Sequence, residues 1–106
     1  MSTTTRPMTK SPNAVAAQAL EVAKGSLPSY SDKHSPRFYT QHQLFAMLVL
    51  RQFYRTDYRG IVAILADSTD LRSVLGLDQI PHYSTLSYAE KRFQKGGLWP
   101  PASIRG

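Results

Sequence analysis

The sequence predicts an all-α fold, a small helical bundle with a helix-turn-helix-like C-terminal half. Three observations carry this expectation. Apolar residues recur at helical spacing, most clearly Tyr58, Ile61, Val62 and Leu65 at i, i+3, i+4 and i+7. Helix start and stop residues bracket the apolar stretches, with Thr40, Ser68 and Ser84 before them and Gly25, Gly76 and Gly96–Gly97 after. No stretch holds the apolar/polar alternation of a strand, and no internal repeat is present. The 106 residues allow a single domain. Residues 1–38 read as a flexible N-terminal segment with one short helix, residues 39–96 as the helical domain, and residues 97–106 as an irregular tail. That leaves roughly 55 residues for a core, a size of marginal stability.

Taken in order, residues 1–12 are rich in Ser, Thr and Pro and read as disordered. Asn13 is the expected cap of a short helix over residues 14–24, with Lys24 near its C-terminus and Gly25 at its stop. Its stripe of Val15, Ala19, Val22 and Ala23 is weak, so light packing is expected. Residues 26–38 hold two prolines and four serines and read as a linker. Thr40 opens the clearest helix. Thr40 and Gln43 have capping-box spacing, in which each side chain satisfies an orphan amide of the first turn, and Tyr39 and Leu44 stand where a hydrophobic staple packs. Leu44 to Leu50 is apolar on every side, as expected of a helix buried all round or covered by another subunit.

A third helix is expected over residues 57–66. Gly60 inside it costs about 1 kcal/mol relative to Ala, which suggests close approach to the central helix. Ser68 caps a helix over residues 69–75, and Gly76 followed by Leu77 matches a Schellman stop with its apolar contact. Residues 78–83 form a loop around Pro81. Ser84 is the expected cap of a last helix over residues 85–95.

Net charge is +6, from 13 Lys and Arg against 7 Asp and Glu. Residues 1–39 hold five basic and two acidic groups, residues 40–83 four of each, and residues 84–106 four basic and one acidic. A neutral centre between basic ends suits a polyanion such as nucleic acid. Mild basicity is common among soluble proteins, so charge alone leaves the partner open. There are no cysteines, which excludes a disulfide scaffold and thiolate metal sites. The longest apolar run, Leu44 to Leu50, falls far short of the ~20 residues that span a bilayer. No signal peptide is apparent, and a cytoplasmic location is expected, nucleoid-associated if the source is prokaryotic.

On the last helix, Leu86, Ala89 and Phe93 cluster on one side, with Ser84, Tyr88, Lys91 and Lys95 opposite and Thr85 and Arg92 beside them. Cations neutralise phosphates, hydroxyls position against the backbone, and Arg can pair with guanine. The candidate DNA contacts are therefore Ser84, Thr85, Tyr88, Lys91, Arg92 and Lys95. The same residues also suit an ordinary solvated face. Arg51, Arg55 and Arg59 would add a second basic strip, unless a new helix at Asp57 breaks their alignment.

Catalytic constellations are missing. The acidic residues lie mostly at caps and loops, and Asp67-Ser68-Thr69 is explained by Ser68 as a cap. His34, His42 and His82 lack metal-ligand spacing, although His82 precedes the last helix and could touch DNA. No phosphate-binding glycine loop or nucleophile elbow occurs. No enzyme activity, metal or cofactor is expected.

Three stretches carry a family resemblance: Tyr39-Thr40-Gln41-His42-Gln43-Leu44, then Thr56-Asp57-Tyr58-Arg59-Gly60, then Leu75-Gly76-Leu77 with Pro81-His82-Tyr83-Ser84-Thr85-Leu86. Over roughly residues 19–95 the chain resembles the N-terminal region of DDE-type insertion-sequence transposases. That resemblance implies a domain that binds the element's terminal inverted repeats in double-stranded DNA and helps assemble the transposase dimer. In full-length relatives a ribonuclease-H-like domain with Asp, Asp and Glu at two metals follows; these carboxylates have no counterpart here, so the chain reads as a truncated fragment. Residues 98–106 would then mark a frameshift or premature stop. The alternatives are an interaction module that forms a homodimer or pairs with full-length transposase and inhibits it, or a relic without function.

Overall fold

The computed structural model describes residues 11–27 and 39–97, which form five α-helices and, among the described residues, no strand. They are α1 (Pro12–Ser26), α2 (Gln41–Tyr54), α3 (Tyr58–Asp67), α4 (Thr69–Leu75) and α5 (Tyr83–Lys95). Of the segment 1–12 predicted as disordered, residues 1–10 lie outside the described residues, while Ser11 and Pro12 instead start α1; of the predicted linker 26–38, Ser26 belongs to α1 and residues 28–38 lie outside the described residues, as does the tail from residue 98.

Helix α1 begins earlier than an Asn13 cap predicts. Ser11 is the N-cap, in extended backbone (φ −74°, ψ 152°), and its Oγ accepts from the Ala14 amide at 3.1 Å. Pro12 explains the shift. Its ring fixes a helical φ, it lacks the amide hydrogen that would go unpaired at N1, and it drives the preceding residue to extended backbone. Asn13 and Gly25 are both inside the helix, which ends at Ser26 with Leu27 as C-cap. The light packing expected of α1 is also corrected. Val15, Ala16, Ala19 and Ala23 are buried against α2 and α4. Small side chains on that stripe let the helix axes approach closely. His42 Nε2 sits 2.7 Å from the Leu27 carbonyl and ties the exit of α1 to α2.

Helix α2 is the centre of the bundle. Leu44, Phe45, Ala46, Met47, Leu48, Val49 and Leu50 are all buried, covered by α1, α3 and α5. The chain's own helices thus enclose the apolar belt that sequence alone left open to another subunit. The capping box is formed: Gln43 N–H donates to Thr40 Oγ1 (3.0 Å) and Thr40 N–H to Gln43 Oε1 (2.8 Å). The other end of the same amide, Gln43 Nε2, donates to the carbonyls of Leu75 (3.0 Å) and Gly76 (3.1 Å). One side chain therefore closes the start of α2 and the end of α4, satisfying orphan groups of both. Helix α2 stops where Arg55 turns left-handed (φ 57°, ψ 47°), with Thr56 N–H reaching back to the Arg51 carbonyl at 3.1 Å.

Asp57 caps α3 through the Gly60 amide (2.7 Å). Gly60 is not explained by the central helix. A Cβ there would stand 1.7 Å from Thr56 Oγ1 and 3.0 Å from Thr56 Cβ, so the crowding comes from the turn that starts α3. Ser68 ends α3 and caps α4, its Oγ accepting from Leu71 N–H at 3.2 Å, which makes Asp67-Ser68-Thr69 a helix junction. Arg72 Nη1 donates to the Leu65 and Ala66 carbonyls and satisfies the end of α3. Gly76 (φ 70°) closes α4 as predicted, with Leu77 N–H on the Arg72 carbonyl (2.9 Å) and Gly76 N–H on that of Ser73 (3.2 Å). Among the described residues, no helix is long and apolar enough to cross a membrane.

Candidate nucleic-acid interface

Helix α5 packs on α2 and α3, while α4 packs on α3 and α1. Helices α2, α3 and α5 form a mutually packed trio. The segment between α3 and α5 holds all of α4 and the stretch 76–82, a longer excursion than the tight turn of the simplest helix-turn-helix units.

The inward face of α5 is the one its apolar spacing dictates. Leu86, Ala89 and Phe93 are buried, and the Phe93 ring meets Phe45 of α2 edge to face at 5.9 Å. Glu90 joins them at only 7% exposure. Arg51 Nη2 of α2 approaches its carboxylate at 3.3 Å, and the Tyr58 hydroxyl of α3 donates to Glu90 Oε1 at 2.6 Å. Arg51 also donates from Nη1 to the Thr56 carbonyl (3.2 Å) and lies over the Tyr58 ring at 4.8 Å. Burial, and then the hydrogen bond to Glu90, push the Tyr58 hydroxyl above its ordinary pKa, so it stays a proton donor. The cluster joins three helices around one carboxylate and fixes the rotation of α5.

The outward face carries the predicted contacts. Tyr88 is 65% exposed, and Lys91, Arg92 and Lys95 are exposed around it. Lys91 and Lys95 enter no ion pair among the described residues. Arg92 is partly engaged, with Nε donating to Gln41 Oε1 at 3.3 Å and its guanidinium 5.6 Å from the Phe93 ring. Ser84 and Thr85 are half-buried at the start of the helix.

Ser84 is not the cap. Helix α5 starts at Tyr83 and His82 is its N-cap, with His82 Nδ1 accepting from Ser84 N–H at 3.2 Å and lying 2.8 Å from Ser84 Oγ. Tyr83 is held in the first turn by its neighbours: the His82 ring lies 4.4 Å from its own, and the Arg59 guanidinium 4.3 Å from it. The second basic strip does not form. The left-handed turn at Arg55 breaks the alignment, Arg51 points inward to Glu90, and Arg59 stacks on Tyr83. Sequence reasoning missed the Arg51–Glu90–Tyr58 cluster. Its signal was a lone carboxylate one residue after Ala89, on the apolar side of the wheel.

Because Glu90 is the only acid between Tyr83 and Lys95 and faces inward, the outer surface of α5 presents cations, an aromatic ring and hydroxyls without a carboxylate. Such a surface can neutralise phosphates and place an aromatic ring and hydrogen-bonding groups against base edges. Among the described residues, no three of His, Cys, Asp and Glu lie close enough to hold a metal ion.

A family model described as Transposase domain (DUF772) matches residues 15–92, from the first buried residue of α1 to the last turn of α5. No curated protein and no solved structure matches the chain.

Proposed function

Because the chain belongs to the DUF772 transposase-domain family, we propose that it is a DNA-binding module of transposition, gripping double-stranded DNA with the outward face of α5. The observation that carries this reading is the inward turn of Glu90, which leaves Tyr88, Lys91, Arg92 and Lys95 as an acid-free cationic face. Lys91, Arg92 and Lys95 meet phosphates, Tyr88 reaches into the groove, and Ser84 and Thr85 position the start of the helix. The target is the terminal inverted repeat of a DDE-type insertion sequence, as the three resembling stretches imply. The module supplies binding and no bond-breaking chemistry of its own.

The test is fluorescence anisotropy of the chain on a labelled duplex bearing the element's terminal repeat, with a scrambled duplex as control, across a range of salt. The three α5 cations alone would give a slope of log affinity against log salt of about −2.7, at about −0.9 per phosphate contact. Tighter binding to the repeat, lost on Lys91→Glu with Lys95→Glu, supports the reading. Equal or absent binding by a folded chain would refute it.

A further inference from the structure

Two exposed donors flank the start of α5, and both are held by one ring. Arg59 stands in the first turn of α3, its guanidinium 4.3 Å from the Tyr83 ring and its Nη2 donating to the Tyr83 hydroxyl at 2.9 Å. The His82 ring lies 4.4 Å from the same ring, tilted by 30°. Both side chains are exposed.

Their chemistry is set by what they already bind. His82 Nδ1 accepts the Ser84 amide, so a neutral ring carries its proton on Nε2, which is then an N–H donor. A guanidinium has five N–H donors, and the Tyr83 hydroxyl takes up only part of that fork. Arg59 enters no ion pair among the described residues. The nearest acid in sequence, Asp57, is engaged with the Gly60 amide at 2.7 Å. Stacking on Tyr83 restricts the long Arg59 side chain before any ligand arrives, which lowers the ordering cost of binding. A planar, pre-set guanidinium beside a neutral donor is suited to a phosphodiester oxygen pair.

We infer that Arg59 and His82, steadied by Tyr83, form a second DNA contact, a phosphate-gripping shelf on the backbone flanking the groove that α5 enters. The shelf rests on the reading of α5 as the DNA-facing helix. It draws on α3 as well as α5, so the grip comes from two helices that the Arg51–Glu90–Tyr58 cluster locks together.

The shelf makes four cationic contacts where α5 alone makes three. The wild-type chain on the repeat duplex should therefore give a salt slope of about −3.6, whereas about −2.7 overturns the shelf. With the lost contact scaling with salt to the power of about −0.9 and contributing nothing at about 1 M, Arg59→Gln should weaken binding about eightfold at 0.1 M salt and about threefold at 0.3 M. His82→Ser keeps a good N-cap residue and should lower affinity by the same factor at both salts, since a neutral donor releases no counterion. Far-UV circular dichroism checks that each variant is folded, and the wild-type slope needs no variant at all. Arg59→Gln that matches wild type at both salts, while Lys91→Glu with Lys95→Glu abolishes binding, sinks the shelf and leaves the α5 reading intact. A folded wild-type chain that binds neither duplex sinks both.

Discussion

Replacing Glu90 with Ala should destabilise the domain more than any exposed charge change, and the size follows from what the carboxylate holds. Glu90 is nearly buried, 3.3 Å from Arg51 Nη2 and 2.6 Å from the Tyr58 hydroxyl. Removing it strands both donors. Arg51 is already under strain of this kind, because its buried Nε has no hydrogen-bond partner among the described residues. Breaking a buried pair from one side costs about 3–5 kcal/mol. The Arg51 side chain keeps 21% of its exposure, so water meets part of the stranded charge and the lower end, about 3 kcal/mol, applies. At about 4–8 °C per kcal/mol in a domain this small, Tm falls by about 12–24 °C. Thermal melts followed by far-UV circular dichroism at neutral pH measure this, with Glu21→Ala as control. Glu21 pairs with Lys24 only on the surface at 3.7 Å, where such pairs are worth about 0–1 kcal/mol. Glu90→Gln retains an acceptor for Tyr58 and should fall between wild type and Glu90→Ala. Arg51→Leu with Glu90→Leu, which removes both charges, should melt above Glu90→Ala. If Glu90→Ala melts with Glu21→Ala, the cluster does not hold α5 and the reasoning fails.

Gly60→Ala should lower the urea midpoint although it improves helix propensity by about 1 kcal/mol: rotating Thr56 moves its hydroxyl from the new Cβ, but the Thr56 Cβ remains at 3.0 Å. Arg55→Gly should raise that midpoint, since a left-handed non-glycine residue costs about 1–2 kcal/mol and Arg55 sits at φ 57°; an unchanged or lower midpoint refutes it. Burial raises the pKa of Tyr58 and of Tyr39 above the ordinary 10.0, so the unfolded chain loses these protons first. Their contribution is complete below pH 10 and is lost as pH rises above it. Urea melts from pH 9 to 11 should therefore show falling stability, and Tyr58→Phe should flatten the decline.

Much of this fold is legible in the sequence because its helices follow local rules. The capping box of Thr40 and Gln43, the Ser68 junction and the Gly76 stop each depend on residues within a few positions of one another, and each forms as spaced. The two misplaced starts differ in kind, one local and one not. Ser11-Pro12 is a stronger start than Asn13 because proline favours N1 and sets Ser11 extended. At α5, His82 takes the cap because Tyr83 is drawn into the helix by stacking with Arg59, twenty-four residues earlier in the chain. That contact is tertiary, and no local pattern announces it. The close packing of α1 is hidden in the sequence for a different reason. Alanines contribute little to an apolar stripe, yet Ala16, Ala19 and Ala23 are fully buried because they let α1 lie close to α2. Of α5, the buried Leu86, Ala89 and Phe93 and the exposed Tyr88, Lys91 and Lys95 fall as the wheel places them, while the inward Glu90, the half-buried Ser84 and the His82 cap do not follow from it, and Arg51 and Tyr58 reach Glu90 from two other helices.

On the proposed reading, the charge that a nucleic acid would meet is not the charge that composition reports. Counted along the chain, α5 carries Lys91, Arg92 and Lys95 against Glu90, and α2 and the turn after it add Arg51 and Arg55. In the folded molecule Glu90 and Arg51 neutralise each other inside. Their removal leaves the surface net charge unaltered, but it separates the signs in space: acid is subtracted from the face of α5, and a cation is subtracted from the end of α2. A phosphate approaching α5 within a Debye length of about 8–10 Å meets three cations and no competing carboxylate from that helix. This makes a sharp distinction between two substitutions with the same formal effect. Glu90→Gln and Asp78→Asn each add one positive charge, yet Asp78 is exposed on the loop before α5 and Glu90 is enclosed. Asp78→Asn should tighten DNA binding slightly at low salt through the long-range field. Glu90→Gln, by loosening the Arg51 and Tyr58 contacts that set the rotation of α5, should weaken binding to the repeat despite the added charge. Anisotropy titrations of the two folded variants decide the matter, and equal tightening by both would mean that net charge, rather than the orientation of α5, governs binding.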